Sequence, residues 1–443
     1  MRARNILNLT LISGCLLLAG VSLSLMSPFY PTEALTKGVT VTQSGFVIGS
    51  VFISTILFTP ICGKYIELLG ARNFLLVGSF IVAIGNIAFG FLSEINNSKV
   101  FFWSSILIRV IIAIGESAMT PACYALASQQ LGERHQGKAI SLAEACFGVG
   151  TMFGPSIGGF LYQIGGFSLP FWIAGGVLFL INMSAIICLE DKSDMYTRLE
   201  EEEGITWKQV LCAPGVGVSL FGLAFAGSAW SWYSATLEPF LDSAYGLDPA
   251  QTGLVFTAFG ATYTLFTPMF GFLADKGMNG ISALILGNSI IGVGLLFLGP
   301  IPPFFGISGN LWLSVLSIGV QGLGSAATYL GSLLIMMKGV KDAGLPDTEQ
   351  VKTMVSSLWI VADCAGGYAG STLGSIAYDN VGFEYGTLIE AGALVFTVLV
   401  MGSLAFSGYT TCRKPSTETQ EKEKSEKRRL IQEYEKNGRT YGS

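Results

Sequence analysis

Charged residues are scarce in this sequence, and their scarcity excludes the commonest class of protein. Of the 443 residues only 12% are Asp, Glu, Lys or Arg, whereas 51% are hydrophobic, and the mean hydropathy is +0.57. Soluble domains carry about 25% charged residues, so an ordinary soluble protein is excluded. The formal net charge of −5 gives no indication of a nucleic-acid partner.

Residues that build catalytic and metal centres are also few. The chain has one histidine, His135, and its eight cysteines include no CxxC pair, which argues against a metal site and against a disulfide framework. No Gly-x-x-x-x-Gly-Lys-Ser/Thr loop is present, which argues against an ATP-driven pump. A nucleophile elbow and a cofactor loop are likewise missing. We therefore predict a protein that is not an enzyme and that needs no cofactor and no metal.

What the sequence does contain is a series of long apolar stretches, each of a length that can cross a bilayer. The first follows Arg2 and Arg4 as a signal peptide would, but it continues to about Met26 without a clear cleavage site. We therefore interpret it as a spanning helix, and we predict an all-α membrane protein with twelve transmembrane helices. Their approximate positions are 6–30, 43–66, 73–93, 100–129, 138–163, 169–189, 213–238, 252–274, 281–299, 310–337, 351–377 and 385–408.

The charges between the stretches predict the orientation in the membrane. If both termini are cytosolic, the non-cytosolic loops contain only Lys37 and Lys99, and all other loop Lys and Arg residues face the cytosol. Cytosolic loops of membrane proteins carry such an excess of Lys and Arg. We therefore predict cytosolic termini.

Two segments occur twice. FTPICGKYIE (Phe58 to Glu67) matches FTPMFGFLAD (Phe266 to Asp275), and GPSIGGFLYQIGGF from Gly154 matches GSTLGSIAYDNVGF from Gly370. The second and eighth stretches thus correspond, as do the fifth and eleventh, which indicates a duplicated six-helix unit. Because six is even, both halves have the same orientation. Parallel repeats of this kind are typical of transporters, with the substrate site between the halves near the midplane.

The duplication and the composition predict four regions. They are an N-terminal six-helix bundle at 1–189, an acidic cytosolic linker at 190–210, a C-terminal six-helix bundle at 211–410 and a disordered cytosolic tail at 411–443. In the tail, EKRRLI (Glu426 to Ile431) resembles an acidic dileucine sorting signal. This resemblance implies an adaptor protein as a partner and a vesicle or endolysosomal membrane as the location.

Several motifs resemble those of the major facilitator superfamily. GKYIELLGAR (Gly63 to Arg72) resembles the loop motif between the second and third helices, and GFLADK (Gly271 to Lys276) resembles its second-half copy. GTMFGPSIGG (Gly150 to Gly159) is similar to the fifth-helix motif of proton-coupled antiporters. The resemblance implies the superfamily fold, with Glu67, Arg72, Asp275, Gly154 and Pro155 in gating positions.

A closer resemblance is to vesicular amine transporters. IVADCAGGYAG (Ile360 to Gly370) and ATLEPFL (Ala235 to Leu241) resemble that family, and SPFYPTEALTKG from Ser27 and SLAEACFGVG from Ser141 resemble its vesicular polyamine branch. Ala19 stands where monoamine transporters have an Asp. The resemblance implies proton-coupled antiport of spermine-like polyamines into acidic secretory vesicles, with Asp363 in proton coupling.

Five charged residues lie inside the predicted spans and away from their ends: Arg109, Glu116, Glu144, Asp363 and Glu390. Each costs about 2.5–3.5 kcal/mol at a helix centre if it is ionised. Arg109 and Glu116 are seven residues apart on one helix face, which favours either an ion pair or a role at the substrate site. Asp363 corresponds to Phe147, within a turn of Glu144, so we expect both carboxylates to line the central cavity. The alternative is that they are protonated packing residues.

Buried carboxylates suit the exchange of protons for cations. Burial favours the neutral, protonated form of an acid, whereas a nearby cation favours the ionised form, so the two ligands compete. A polyamine needs several acids, and Glu116, Glu144 and Asp363 supply them. Aromatic rings add cation–π contacts of about 0.5–2 kcal/mol each, and packing is the alternative role for them. The candidate rings are Tyr124, Trp232, Tyr233 and Tyr329.

Two other functions remain open at this point. One is proton antiport of another organic cation, such as a monoamine, acetylcholine or a drug. The other is a non-transporting sensor or sorting protein on the same scaffold. Glu238, at the outer end of the seventh stretch, is interpreted as an exposed residue.

Overall fold

The computed structural model describes residues 3–130, 136–189, 205–299, 310–346 and 348–406. His135, most of the predicted linker and the whole predicted tail, including EKRRLI, lie outside the described residues. So does the side chain of Glu67.

Twelve long helices make up most of the described part of the chain. The first half contains α1 (Ala3–Ser24), α2 (Val41–Leu69), α3 (Ala71–Gly90), α4 (Ser98–Gln130), α5 (Gln136–Gly165) and α6 (Ser168–Cys188). The second half contains α7 (Val216–Tyr245), α8 (Pro249–Asp275), α9 (Gly280–Leu298) and α10 (Leu311–Asp342). The last helical stretch, Glu349–Phe406, is divided at Gly382 into α11 (349–381) and α12 (383–406). Short helices lie at Tyr30–Thr36, Phe91–Glu94 and Trp207–Leu211.

These helices confirm the prediction of an all-α membrane protein. Within the described residues, nine stretches are long and apolar enough to cross a bilayer, and the last of them, Gln350–Phe406, contains both α11 and α12. The two long helices outside this set, α5 and α7, are rich in Gly and Ser and pack closely against α1 and α11. Each of the twelve predicted stretches therefore coincides with one long helix.

Local sequence determines where the helices begin and turn. The side chain of Thr40 accepts a hydrogen bond from the backbone N–H of Gln43, and Asp248 does the same for Gln251, so α2 and α8 start with the same capping box. Thr40 and Asp248 occupy equivalent places in the repeat. Gly382 has φ 85°, a conformation that glycine adopts without strain, and it allows the sharp change of direction between α11 and α12.

The duplication is visible in the packing of α1 on α5 and of α7 on α11. A methyl group placed at Gly227 of α7 would lie 2.7 Å from the carbonyl oxygen of Asp363, and one placed at Gly20 of α1 would press on the carbonyl of Phe147. Further contacts follow the same correspondence: Gly150 on Leu17 and Gly366 on Ala224, Gly154 on Val21 and Gly370 on Ser228, Gly158 on Leu25 and Gly374 on Trp232. Such close approaches need glycine. The two halves are therefore the same six-helix bundle built twice.

The two halves meet mainly through two helix pairs, α2 with α11 and α5 with α8. The Ser156 hydroxyl lies 3.1 Å from the Gly253 carbonyl oxygen, and Gly45 packs against Ser371 and Ser375. These contacts involve the first turns of α2 and α8 and the last turns of α5 and α11. We call this side of the molecule the closed end. The opposite side, where α2, α4, α8 and α10 finish, is the open end.

Candidate functional site

Each half contains one tyrosine that donates a hydrogen bond to a carboxylate in the helix that follows it. In the first half the Tyr124 hydroxyl of α4 donates to Oε2 of Glu144 on α5. In the second half the Tyr329 hydroxyl of α10 donates to Oδ1 of Asp363 on α11, at 2.6 Å. Since α4 corresponds to α10 and α5 to α11, the two tyrosine–carboxylate pairs are repeat-related. The sequence singled out all four residues but did not predict that they pair.

The two pairs differ in depth by one helical turn. Gly78 and Gly115 pack against each other in the same way as Gly287 and Gly324, so Tyr329 corresponds to Thr120 of α4. Tyr124 lies four residues beyond Thr120, and Glu144 lies three residues before the counterpart of Asp363. The helix α4 runs toward the open end, and α5 runs away from it. A later position on α4 and an earlier position on α5 are therefore both shifted toward the open end. The first pair therefore lies about 5 Å nearer the open end.

Tyr263 of α8 connects the two pairs. It interacts electrostatically with both Glu144 and Asp363, and its ring meets the ring of Tyr329 edge-on, with centroids 6.1 Å apart. The carboxylates of the two halves therefore both lie near this one residue of α8. Tyr263 was not among the predicted site residues. One feature of the sequence could have identified it: Tyr263 departs from the repeat, because Thr55 occupies the corresponding position in the first half.

A second aromatic ring completes the surroundings of Asp363. The Trp359 ring lies 5.4 Å from that of Tyr329, and its indole N–H donates to the Ser332 hydroxyl at 2.9 Å. Asp363 is half-buried among these rings, whereas Glu144 is exposed on the open side. The site thus offers two anionic groups and several aromatic faces to a ligand that enters from the open end.

Arg109 and Glu116 belong to a different polar cluster, inside the first half between α1, α3 and α4. The Arg109 guanidinium is buried and its closest polar partner is the Ser22 carbonyl oxygen, at 3.5 Å. The Ser22 hydroxyl is in turn paired with the Asn86 amide at 3.0 Å. Arg109 and Glu116 attract each other electrostatically, but within the described residues they form no direct ion pair. The structure therefore does not place Arg109 beside Glu144 or Asp363.

The aromatic residues predicted on the seventh stretch lie within the second half. Trp232 packs against Gly374 and Gly386, and it is only 2% exposed. Tyr233 is buried against Phe256 and Phe259, and its hydroxyl has no hydrogen-bond partner in the described part of the chain. The structure thus gives both residues packing roles between helices.

The predicted gating residues are distributed over both ends. Arg72 donates from Nε to the Leu189 carbonyl oxygen at 2.6 Å and from Nη2 to the Ile186 carbonyl oxygen at 2.9 Å, so it caps the C-terminus of α6. Asp275 is exposed at the open end of α8. Gly154 packs on α1, and the neighbouring Pro155 faces Gly253 of α8 across the closed end.

Three carboxylates of the second half hold the closed end together. Glu238 accepts from the Thr32 N–H at 3.0 Å, and Asp379 accepts from the Thr42 N–H at 2.8 Å. The third is Asp248, which accepts from the Gln163 amide at 3.1 Å. Glu238 is only 4% exposed, so the expectation of an exposed residue was wrong. The first half covers this side chain, and a sequence pattern local to α7 could not show that.

Two parallel six-helix repeats around a shared central space define a secondary membrane transporter. The family model of the Major Facilitator Superfamily matches residues 12–221 and 219–439. The chain therefore belongs to the Major Facilitator Superfamily, which also confirms the predictions of a multi-pass membrane protein and of a transporter rather than an enzyme.

Named relatives and solved structures agree with this assignment. The chain is 27% identical over 397 residues to the human protein MFS-type transporter SLC18B1. The aligned region covers 89% of this chain and 85% of the human protein. Identity to rat MFS-type transporter SLC18B1 is 28% over 379 residues, 85% of this chain and 80% of the rat protein. A bacterial homologue of the human lysosomal transporter Spinster, in an inward-facing, unoccupied conformation, superposes with a TM-score of 0.72 at 17% identity, covering 92% of this chain and 98% of the homologue.

Proposed function

We propose that this protein is a proton-coupled antiporter that moves polyamines into acidic vesicles by alternating access. The observation that carries the proposal is the pair of tyrosine–carboxylate contacts, Tyr124 with Glu144 and Tyr329 with Asp363. One comes from each half, and both lie near Tyr263 of α8. The similarity to SLC18B1 proteins and the motifs of the vesicular polyamine branch support the choice of substrate.

Competition for these carboxylates couples the two ligands. A tyrosine hydroxyl that donates to a carboxylate stabilises its ionised form, whereas burial in the bundle favours the protonated form. Either a proton or an ammonium group therefore neutralises each site. A polyamine carries several ammonium groups, so one molecule can neutralise Glu144 and Asp363 together. When protons replace it, the amine leaves.

The charge distribution gives the direction of transport. The loop Lys and Arg residues lie mainly at the open end, which we therefore assign to the cytosol. Both termini then face the cytosol, and the closed end faces the vesicle lumen. An acidic lumen loads Glu144 and Asp363 with protons when the closed end opens, and the amine is released there.

Reconstitution tests this function directly. Purified protein in liposomes with an acidic interior should accumulate labelled spermine, and unlabelled spermine should compete better than serotonin or acetylcholine. Glu144→Gln and Asp363→Asn should each abolish accumulation, whereas Asp342→Asn, at an exposed carboxylate at the open end of α10, should retain it. Better competition by serotonin or acetylcholine would assign a different cation. Folded protein that accumulates none of these amines would favour the sensor or sorting role.

The predicted regions at 190–210 and 411–443 complete the proposal. We assign the first to a cytosolic linker between the halves and the second to a cytosolic tail whose EKRRLI segment binds a sorting adaptor. Replacing Leu430 and Ile431 with alanine should move the protein from vesicles to the plasma membrane without changing spermine uptake in liposomes. Unchanged vesicle localisation would remove the adaptor from the proposal.

A further inference from the structure

A further carboxylate, Glu390 of α12, is buried away from the tyrosine–carboxylate pairs. It lies eight residues beyond Gly382, which places it about 12 Å into the bundle from the closed end. The side chain is 5% exposed, and its Oε1 has no hydrogen-bond partner within the described residues. The buried side chain of Ser228 on α7 lies close to this carboxylate. The neighbours of Glu390 on α12, Ala391 and Leu394, belong to an apolar cluster with Ala226, Ala229, Ile291 and Leu295.

Within the described residues, the helices around Glu390 provide no cation to neutralise its ionised form. The helices α7, α9 and α12 contain no Lys, Arg or His, and the first turn of α11 holds Lys352 near the open end. The other acids on these helices, which cannot supply positive charge, are Glu238 and Asp242 of α7, Glu349, Asp363 and Asp379 of α11 and Glu384 of α12. An ionised carboxylate without a counter-ion is strongly unfavourable at this depth. Glu390 therefore holds a proton when the closed end is shut.

The position of Glu390 separates it from the site that is open to the substrate. Ser228 follows Gly227, against which Asp363 rests, and the Ser228 carbonyl packs on Gly370 of α11. Asp363 lies seven residues before Gly370, or about 10 Å nearer the open end. Glu390 thus lies on the closed-end side of Asp363, enclosed by helix packing.

We propose that Glu390 is a second proton-binding site of the carboxy-terminal half, distinct from the site that amine and proton share. It loads when the closed end opens, keeps its proton while the empty site returns, and releases it toward the open end before the amine is carried across. This inference rests on the proposed proton-coupled function, because it adds one proton to each transport cycle. The Ser228 hydroxyl stabilises the ionised form during release.

The first experiment measures the steady-state accumulation of spermine in liposomes at several imposed pH gradients. Loss of one coupled proton should lower the accumulation ratio of Glu390→Gln about tenfold for each pH unit of the gradient. Equilibrium binding of spermine from the open end should stay unchanged. Glu384→Gln, a partly exposed acid in the first turn of the same helix, is the matched control and should behave as wild type. A variant Glu390→Gln with the wild-type dependence on the gradient would overturn the inference.

The second experiment does not depend on transport. Infrared spectra of the full-length protein in lipid should show the carbonyl band of a protonated carboxylic acid at neutral pH, and Glu390→Gln should lack it. Ser228→Ala is a smaller change than Glu390→Gln because it removes only one hydroxyl. It should raise the pH at which this band disappears. An ionised Glu390 in wild type would overturn the inference by itself. Absence of gradient-driven uptake in wild type, with the band present, would instead refute the proposed antiport.

Discussion

At the scale of single residues, hydrogen bonds distinguish side chains that composition treats alike. Tyr329 is partly buried and Tyr233 is fully buried in the second half, yet only Tyr329 donates to a carboxylate. A hydrogen bond to a charged group contributes about 1.5–3 kcal/mol, and its loss leaves that charge less stable. We therefore expect the function of the site to depend on a few hydroxyl groups rather than on its aromatic content.

Tyr329→Phe should weaken spermine binding roughly tenfold or more, because Asp363 loses the hydroxyl that stabilises its ionised form. The pH of half-maximal uptake should rise, since the proton then leaves Asp363 less readily. Radioligand binding and uptake across a pH series measure both effects. Tyr233→Phe removes a hydroxyl without a partner in the described part of the chain and is the control. Equal effects of the two substitutions would contradict the assigned role of Tyr329.

Gly227 is the residue that lets Asp363 lie against α7. A methyl group there would be 2.7 Å from both the carbonyl oxygen and Oδ1 of Asp363. Gly227→Ala should therefore displace the carboxylate and cost about 1–3 kcal/mol of packing, with a large loss of uptake. Gly217→Ala, on the same helix with open space around it, should retain activity. Uptake assays on the two variants measure this loss, and thermal unfolding checks that both variants are folded. Equal uptake by the two folded variants would contradict the prediction.

At the scale of helices, the closed end is held by carboxylates that cap helices of the other half. Asp379 of α11 accepts a hydrogen bond from the N–H of Thr42 in the first turn of α2. The same helix end is also capped by Thr40 of the first half. Caps of this kind contribute about 1 kcal/mol. The first half thus supplies backbone donors, and the second half supplies acceptors that must release them when the closed end opens.

Asp379→Ala should shift the population toward the state that is open at the closed end. The expected change is about fivefold, which corresponds to the loss of one cap of about 1 kcal/mol. Pulsed electron paramagnetic resonance between spin labels on α2 and α11 measures this population. Asp342→Ala, at an exposed carboxylate at the open end of α10, is the control. An unchanged distance distribution in Asp379→Ala would mean that the cap does not hold the closed end.

At the scale of the whole molecule, alternating access requires the contacts of the closed end to separate in every cycle. The hydroxyls of Ser156 on α5 and Thr257 on α8 are in direct contact across the halves. The double variant Ser156→Cys with Thr257→Cys should form a disulfide on mild oxidation and stop spermine uptake. Reduction should restore uptake. The two single variants are the controls, and undiminished uptake by the cross-linked protein would exclude opening at this end.

Helix positions and the duplication could be predicted from the sequence, because apolar length and glycine spacing are local properties. The packing confirms that Asp363 corresponds to Phe147. The pairing of Tyr124 with Glu144 could not be predicted, since it depends on how far α4 and α5 are displaced relative to their second-half counterparts. The prediction of an exposed Glu238 was wrong for a related reason. The residues that bury its side chain belong to a segment some two hundred positions earlier in the chain.

The one-turn difference in depth between the two tyrosine–carboxylate pairs has a geometric consequence. A linear molecule that touches both acids lies obliquely across the bundle, with its leading nitrogen deeper than its trailing one. The two nitrogens then meet different surroundings, a half-buried aromatic pocket at Asp363 and open solvent at Glu144. The distance between the two nitrogens of an amine therefore determines whether it can contact both acids. We expect longer amines to contact both acids more readily than short diamines do.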